Sequence, residues 1–359
     1  MYRSEKYAII SAISAAVLFG IVIPFSKFLL TGIGPITLAA LLYLGAGLGL
    51  LTITGLIRTK GERIEAEISR DDILWIIIIV IAGSIIGPIL LMTGLTSVPA
   101  GTASLLLNGE LVMTVIIAGL FFAEPLGSRT LLATILVLTG GLILSYDPGG
   151  DLGISAGIVL ILGACLCWGI DNNATRLLSG KDPAMIAIIK GFGAGIFGIF
   201  LAIGLREPAP SLILVGSALL IGLFGYGFSI LLFIRSLRVL GAVRTGSLFA
   251  LAPFIGVIAS YPILGEVPGV QTLICLPLMA GGVYLIASED HSHLHSHLPA
   301  SHDHRHSHHD HHHTHIHDIK NPGEHAHPHQ HLPKTHNHGH TPDLHHHHTH
   351  DKKDERGNI

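Results

Sequence analysis

The feature that most constrains this chain is a succession of apolar runs, each roughly 18 to 25 residues long, separated by short polar connections. At about 1.5 Å per residue such a run crosses a hydrocarbon core about 30 Å thick, and within that core only a helix can satisfy its own backbone. Ten spans are expected. They are Tyr7–Leu30, Pro35–Ile57, Ile73–Leu95, Val98–Phe122 and Ser128–Tyr146, then Gly153–Leu177, Pro183–Leu205, Ser211–Ile234, Ala242–Leu264 and Gly269–Ala287. The first run has no small-residue cleavage site and opens a dense series, so it reads as a retained helix, not a signal peptide. Lys and Arg concentrate in alternate connections: Arg3 and Lys6, Arg58 to Arg70, Arg129, Arg176 and Lys181, Arg235 and Arg238. The positive-inside rule then gives a multi-pass cell-membrane protein with both termini in the cytoplasm, and an even number of spans agrees with termini on one side.

The ten spans fall into two similar sets of five. PFSKFLL, with Lys27, aligns with NATRLLS, with Arg176, and GPITLAALLYLGAG aligns with DPAMIAIIKGFGAG. Val98–Pro125 is echoed by Gly241–Pro268, each ending in a glutamate, Glu124 or Glu266, followed within two residues by proline. Because each set is odd in number, the second enters the membrane inverted relative to the first, and such repeats place substrate sites near the midplane where they meet. The expected organisation is an all-α polytopic membrane protein: one five-helix repeat over 7–146, an inverted second over 153–287, and a disordered His-rich cytoplasmic tail over 288–359.

These residues resemble the EamA family of the drug/metabolite transporter superfamily over nearly the whole apolar body, Ala8 to Ala287. The likeness rests on the duplicated five-span pattern, the basic residue closing the first span of each half (Lys27, Arg176), Trp168-Gly169, Ala123-Glu124 and Gly265-Glu266. It implies a central cavity between inverted repeats and movement of small metabolites by alternating access. The chain departs from the family pattern at Leu42-Tyr43, where a basic residue is common, and at Glu110, just before the position of Pro253 in the repeat.

Polar residues within the spans are few. Glu110 lies in the middle of an apolar span; a charge there is costly and marks either a pathway or a paired structural group. Its counterpart is Ala252. Asp171, Asn172 and Asn173 stand where the first half has Val22, Ile23 and Pro24, so the fold alone does not demand them. Lys190, aligned with Leu42, either snorkels to the interface or pairs with Glu110, Asp171 or an anionic substrate group. Asn108, two residues from Glu110, faces another direction and can bond across helices. Trp168, Tyr226 and Tyr43 pack against substrate or between helices. Glu124 and Glu266 sit at span ends, where a carboxylate favours the start of the next helix. Pro24, Pro88 and Pro253 kink spans and free carbonyls. Cys165, Cys167 and Cys275 all lie in apolar segments and read as small core residues.

All 26 histidines lie between His291 and His350. Spacings such as those of His291, His293, His295, His297, His302, His304, His306, His308, His309, His311, His312, His313, His315 and His317 supply several imidazoles to one divalent ion, with zinc, nickel and cobalt all suited. With almost no apolar residues the segment is expected to be disordered, with several interchangeable sites; a pH-sensitive cation patch is the alternative. The leading function is secondary transport of small metabolites with a metal-binding tail. A divalent-metal transporter, or a metal-storage tail on a membrane anchor, are the others. A formal net charge of −3 carries no nucleic-acid signature, and no hydrolase, nucleotide-binding or redox motif appears, so no enzymatic activity or required cofactor is expected. The expected partners are the bilayer, a small-molecule substrate and divalent ions.

Overall fold

The computed structural model describes residues 2–57, 68–121, 128–146, 155–178 and 181–287, and in the tail 292–297, 300–306, 325–331 and 334–339. Among these residues eight helices are long and apolar enough to cross a membrane, and Ala252–Leu264 and Val270–Leu285 are shorter apolar helices. The first span is α1 (Tyr2–Gly20) and α2 (Val22–Leu29), and the second is α3 (Pro35–Ile57). The third joins α4 (Ile73–Ile78), a π-helical segment Ile79–Ile86, and α5 (Gly87–Leu95). The fourth is α6 (Ala100–Leu106) and α7 (Gly109–Phe121), and the fifth is α8 (Ser128–Ser145). In the second half come α9 (Ala156–Leu177), α10 (Pro183–Gly204), α11 (Leu212–Gly222), a π-helical segment Leu223–Phe228, α12 (Ser229–Phe249), α13 (Ala252–Leu264) and α14 (Val270–Ala287).

Two departures from the expected helices recur in both halves. The third and eighth spans each carry a π-helical segment at matching positions, and the fourth and ninth are each interrupted near their middle, at Leu107–Asn108 and Ala250–Leu251. Helical backbone also continues across the expected connection between spans eight and nine. Yet Ser236 Oγ lies 3.2 Å from Thr245 Oγ1, nine residues on, where a straight helix would part them by roughly 13 Å. The chain therefore turns back within α12.

Each half is built around the other. In the first half, span one packs against spans eight and nine; in the second, span six packs equivalently against spans three and four. Spans two and seven cross each other (α3 with α10), as do spans five and ten (α8 with α14). At the first crossing a Cβ on Gly191 would strike the Gly47 backbone and the Tyr43 carbonyl, so small residues set the approach. The connections sort onto two faces. One gathers Gly34–Thr37, Leu95–Gly101, Tyr146, Glu207 and Glu266–Gln271, tied by hydrogen bonds; the other carries the Lys181–Asp72 ion pair at 3.0 Å.

In the tail, β1 (Ser292–His297) pairs antiparallel with β4 (Lys334–Gly339), and β2 (Ala300–His306) with β3 (His325–His331). Among the described residues each sheet has two strands, and a two-stranded ladder by itself is marginal in water. Eight of the histidines expected to bind metal (His291, His308, His309, His311, His312, His313, His315 and His317) lie outside the described residues.

The α3–α10 crossing makes a direct prediction. Gly191→Val should destabilise the protein by about 1–3 kcal/mol through overpacking. Gly204→Ala, whose Cβ would meet open space, should leave thermal unfolding in detergent unchanged.

Candidate substrate site

The site is organised by one backbone carbonyl. In the π-helical segment of span three the hydrogen-bond register has slipped, so that Gly87 N–H donates to Ala82 O. In that register the next donor, to Gly83 O, would be residue 88, which is proline and has no N–H. The freed carbonyl accepts instead from Trp168 Nε1 (2.8 Å) and Tyr43 Oη (3.1 Å), both from other spans. Gly83 also lacks a side chain for a reason: a Cβ there would strike the Asp171 carboxylate.

Asp171, in α9, is buried against Gly83 and binds Lys190 of α10 through both oxygens, at 2.9 and 2.7 Å. Thr175, one turn on from Asp171, donates to Oδ1 at 3.2 Å. Of the partners open to Lys190 in the sequence, the structure selects Asp171. The Lys190 and Asp171 side chains are 19% and 9% exposed.

Glu110 sits in the first turn of α7, directly after the interruption at Leu107–Asn108. The uninterrupted helix expected from Val98 to Phe122 is thus two half-helices, and the carboxylate stands at the positive end of the second. Its Oε1 accepts from Asn172 Nδ2 at 2.8 Å, and the same amide lies 3.2 Å from Thr114 Oγ1. Thr114 donates to Glu110 O at 2.8 Å, one turn back on the same face. Asn173 turns away from this group and bonds the Thr114 and Gly169 carbonyls. Among the described residues, no cation lies within ion-pair distance of Glu110.

The structure therefore brings Glu110, Asn172, Asp171, Lys190 and Trp168 into one region. Tyr226 borders it, with its ring 5.2 Å from that of Tyr43 and 5.8 Å from Phe19. Asn108 does not join the polar group: it is buried, its side-chain amide donates to Leu105 O at 3.0 Å, a carbonyl that also accepts the Asn108 backbone N–H, and it approaches Met279 Sδ at 3.9 Å. Sequence reading missed Gly83, Thr114 and Thr175. Thr114 was findable as the residue one turn from Glu110, and the interruption as the turn-forming dipeptide Asn108-Gly109, with Pro253 opening the matching half-helix. Glu266 was expected to start the next helix; instead it receives Ala100 and Gly101 N–H of α6, and Glu124 lies outside the described residues.

Comparison with known proteins agrees with this architecture. The profile of the EamA-like transporter family matches residues 6–146 and 155–288, and the chain belongs to that family. It is 30% identical over 303 residues, covering 79% of this chain and 87% of the relative, to a protein of Methanothermobacter thermautotrophicus named as an uncharacterized transporter. It is 28% identical over 210 residues, 55% of this chain and 67% of the relative, to a probable terminal-alkyne amino-acid exporter of Streptantibioticus cattleyicolor. A solved crystal structure, at 17% identity, superposes with a TM-score of 0.57 over 77% of this chain and 94% of its own, a likeness of fold. The protein is thus a multi-pass membrane protein of a transporter family.

The Asp171–Lys190 pair yields a prediction about stability. Lys190→Met leaves a buried carboxylate without its cation and should destabilise by about 3 kcal/mol, whereas Asp171→Asn with Lys190→Met should recover most of the loss. Unfolding of Lys190→Met, Asp171→Asn and the double variant in detergent checks this; a double variant as unstable as the sum of the two singles would contradict it.

Proposed function

We propose that the protein is a secondary transporter of small metabolites that carry an ammonium group, amino acids among them. The observation that carries this reading is the charge of the central group. Two carboxylates, Glu110 and Asp171, face one ammonium, Lys190, so with all three ionised the group is one negative charge in excess, and Lys190 is taken by Asp171. Glu110 is left with a neutral amide partner, beside a gap between half-helices. A carboxylate in that position takes a substrate ammonium when loaded and a proton when empty, which couples transport to protons. The amino-acid exporter among the relatives supports the same substrate class. The distribution of Lys and Arg supports a cytoplasmic location for both termini, which would make the Lys27 face external.

The tail belongs to this reading as a divalent-metal-binding appendage. Its support is the confinement of all 26 histidines to residues 291–350, apart from the spans. Among the described residues no group of three or more His, Cys, Asp or Glu is placed to hold a metal ion, so no observation within the body favours a transmembrane metal path.

Exchange of labelled amino acids and amines in proteoliposomes tests the proposal. Glu110→Gln should slow exchange about tenfold or more, equivalent to roughly 1.4 kcal/mol at the limiting step, and flatten its pH dependence. Removing residues 290–359 should abolish zinc or nickel binding and leave exchange intact. Wild-type exchange and pH dependence in Glu110→Gln would sink the role given to Glu110, and lost exchange without the tail would favour a metal-dependent transporter.

A further inference from the structure

Two helix starts in the first repeat are capped not by their own residues but by carboxylates reaching across from the second. At the start of α3, Glu207 accepts Ile36 N–H at 3.1 Å, Thr37 N–H at 2.8 Å and the Thr37 hydroxyl at 2.6 Å. At the start of α6, Glu266 accepts Ala100 N–H at 3.0 Å and Gly101 N–H at 3.1 Å. Both contacts lie on the Lys27 face, and Lys27 itself holds the adjoining connection through the carbonyls of Leu95, Thr96 and Val98 at 2.6, 3.2 and 3.0 Å.

The repeat shows that this arrangement is not needed to build a helix. Gly34-Pro35 aligns with Asp182-Pro183, and in the second half Asp182 caps its own helix, accepting Ala184 N–H at 2.9 Å and Met185 N–H at 3.3 Å. These are the amides equivalent to those of Ile36 and Thr37. In the first half the local cap is replaced by glycine, and a Cβ on Gly34 would collide with the Glu207 carboxylate. α10 closes in a left-handed turn immediately before Glu207. Arg206 adopts φ 57°, a left-handed conformation usually left to glycine, and Glu207 N–H closes onto Ala202 O at 3.0 Å to end α10.

We infer that Glu207 and Glu266 are gate residues: latches between the repeats that hold the Lys27 face closed, and that must leave the helix starts for that face to open. This rests on the transport reading above. Opening exchanges the charge-assisted bonds of each carboxylate with buried-side amides for bonds with water, so the latches bias the two states without blocking either.

Spin-label distances in liposomes test the latch, using the full chain with its three cysteines replaced by alanine. One label pair sits at Thr31→Cys and Ala209→Cys across the Glu207 contact, the other at Thr96→Cys and Val270→Cys across the Glu266 contact. Glu207→Ala and Glu266→Ala should each shift the ratio of separated to joined distances about tenfold toward separated. The decisive variant is Gly34→Asp with Glu207→Ala, which gives α3 a local cap of the kind Asp182 provides for α10. It should regain wild-type thermal stability while its distances stay separated. If distances match wild type in every variant, or if the local cap restores them along with stability, Glu207 is a helix cap and the latch is wrong. Distances that respond as expected in a chain that exchanges no amino acid or amine would overturn the transport reading alone, and exchange with unaltered distances would overturn the latch alone.

Discussion

The Gly83 carbonyl is the point on which the membrane body depends. In lipid a backbone acceptor without a donor costs several kcal/mol, and Pro88 removes the donor that the slipped register would supply. The fold answers with the indole of Trp168 and the phenol of Tyr43, which draws spans two, three and six together. Because position 83 is a glycine, Asp171 can lie directly on it, and Asp171 in turn fixes Lys190 on span seven. A single irregular turn thereby gathers the ion pair that stands beside Glu110. Straightening it would scatter the polar residues that distinguish this chain from a plain bundle.

The two repeats share a frame and differ in chemistry. Both have a π-helical segment in their third span, an interrupted fourth span and a glycine where the first span of the opposite repeat presses on the π-helical segment. Gly83 meets Asp171, and its counterpart Gly225 meets Val22, which occupies the position matching Asp171. Glu110 is matched by Ala252, Lys190 by Leu42, and Asp182 by Gly34. Features common to both halves therefore serve the architecture, and the unmatched ones carry the candidate site and the Glu207 contact at Gly34, whereas Glu266 has a sequence counterpart in Glu124.

Much of this was legible in the sequence because the bilayer leaves few solutions. Run length placed several span ends closely, Pro35–Ile57 being recovered as α3 and Pro183–Leu205 as α10 to within its last residue, but it missed the helical backbone that joins spans eight and nine in α12. The need of a buried ammonium for a partner pointed Lys190 toward Asp171 among others, but the choice between carboxylates depends on helix rotation, which apolar runs without a polar face do not encode. The π-helical segments were hidden because their residues are as apolar as the rest; only Pro88 hinted at a freed carbonyl. Glu207 was invisible for a different reason. Its role depends on a residue in the other repeat, and the sole local trace is a glycine at position 34 where its partner repeat has a capping aspartate.

The role proposed for the group around Glu110 and Asp171–Lys190 is to receive an ammonium-bearing solute beside Trp168. The chain has two tryptophans, so in Trp75→Phe the emission reports Trp168 alone. Titration of that protein in detergent with an amino acid, its amine lacking the carboxylate, and its acid lacking the amine is the most direct measurement. A saturable change in emission is expected with the amino acid and the amine, and none with the acid. Saturable binding of the deaminated acid, with no response to either ammonium-bearing compound, would contradict that role.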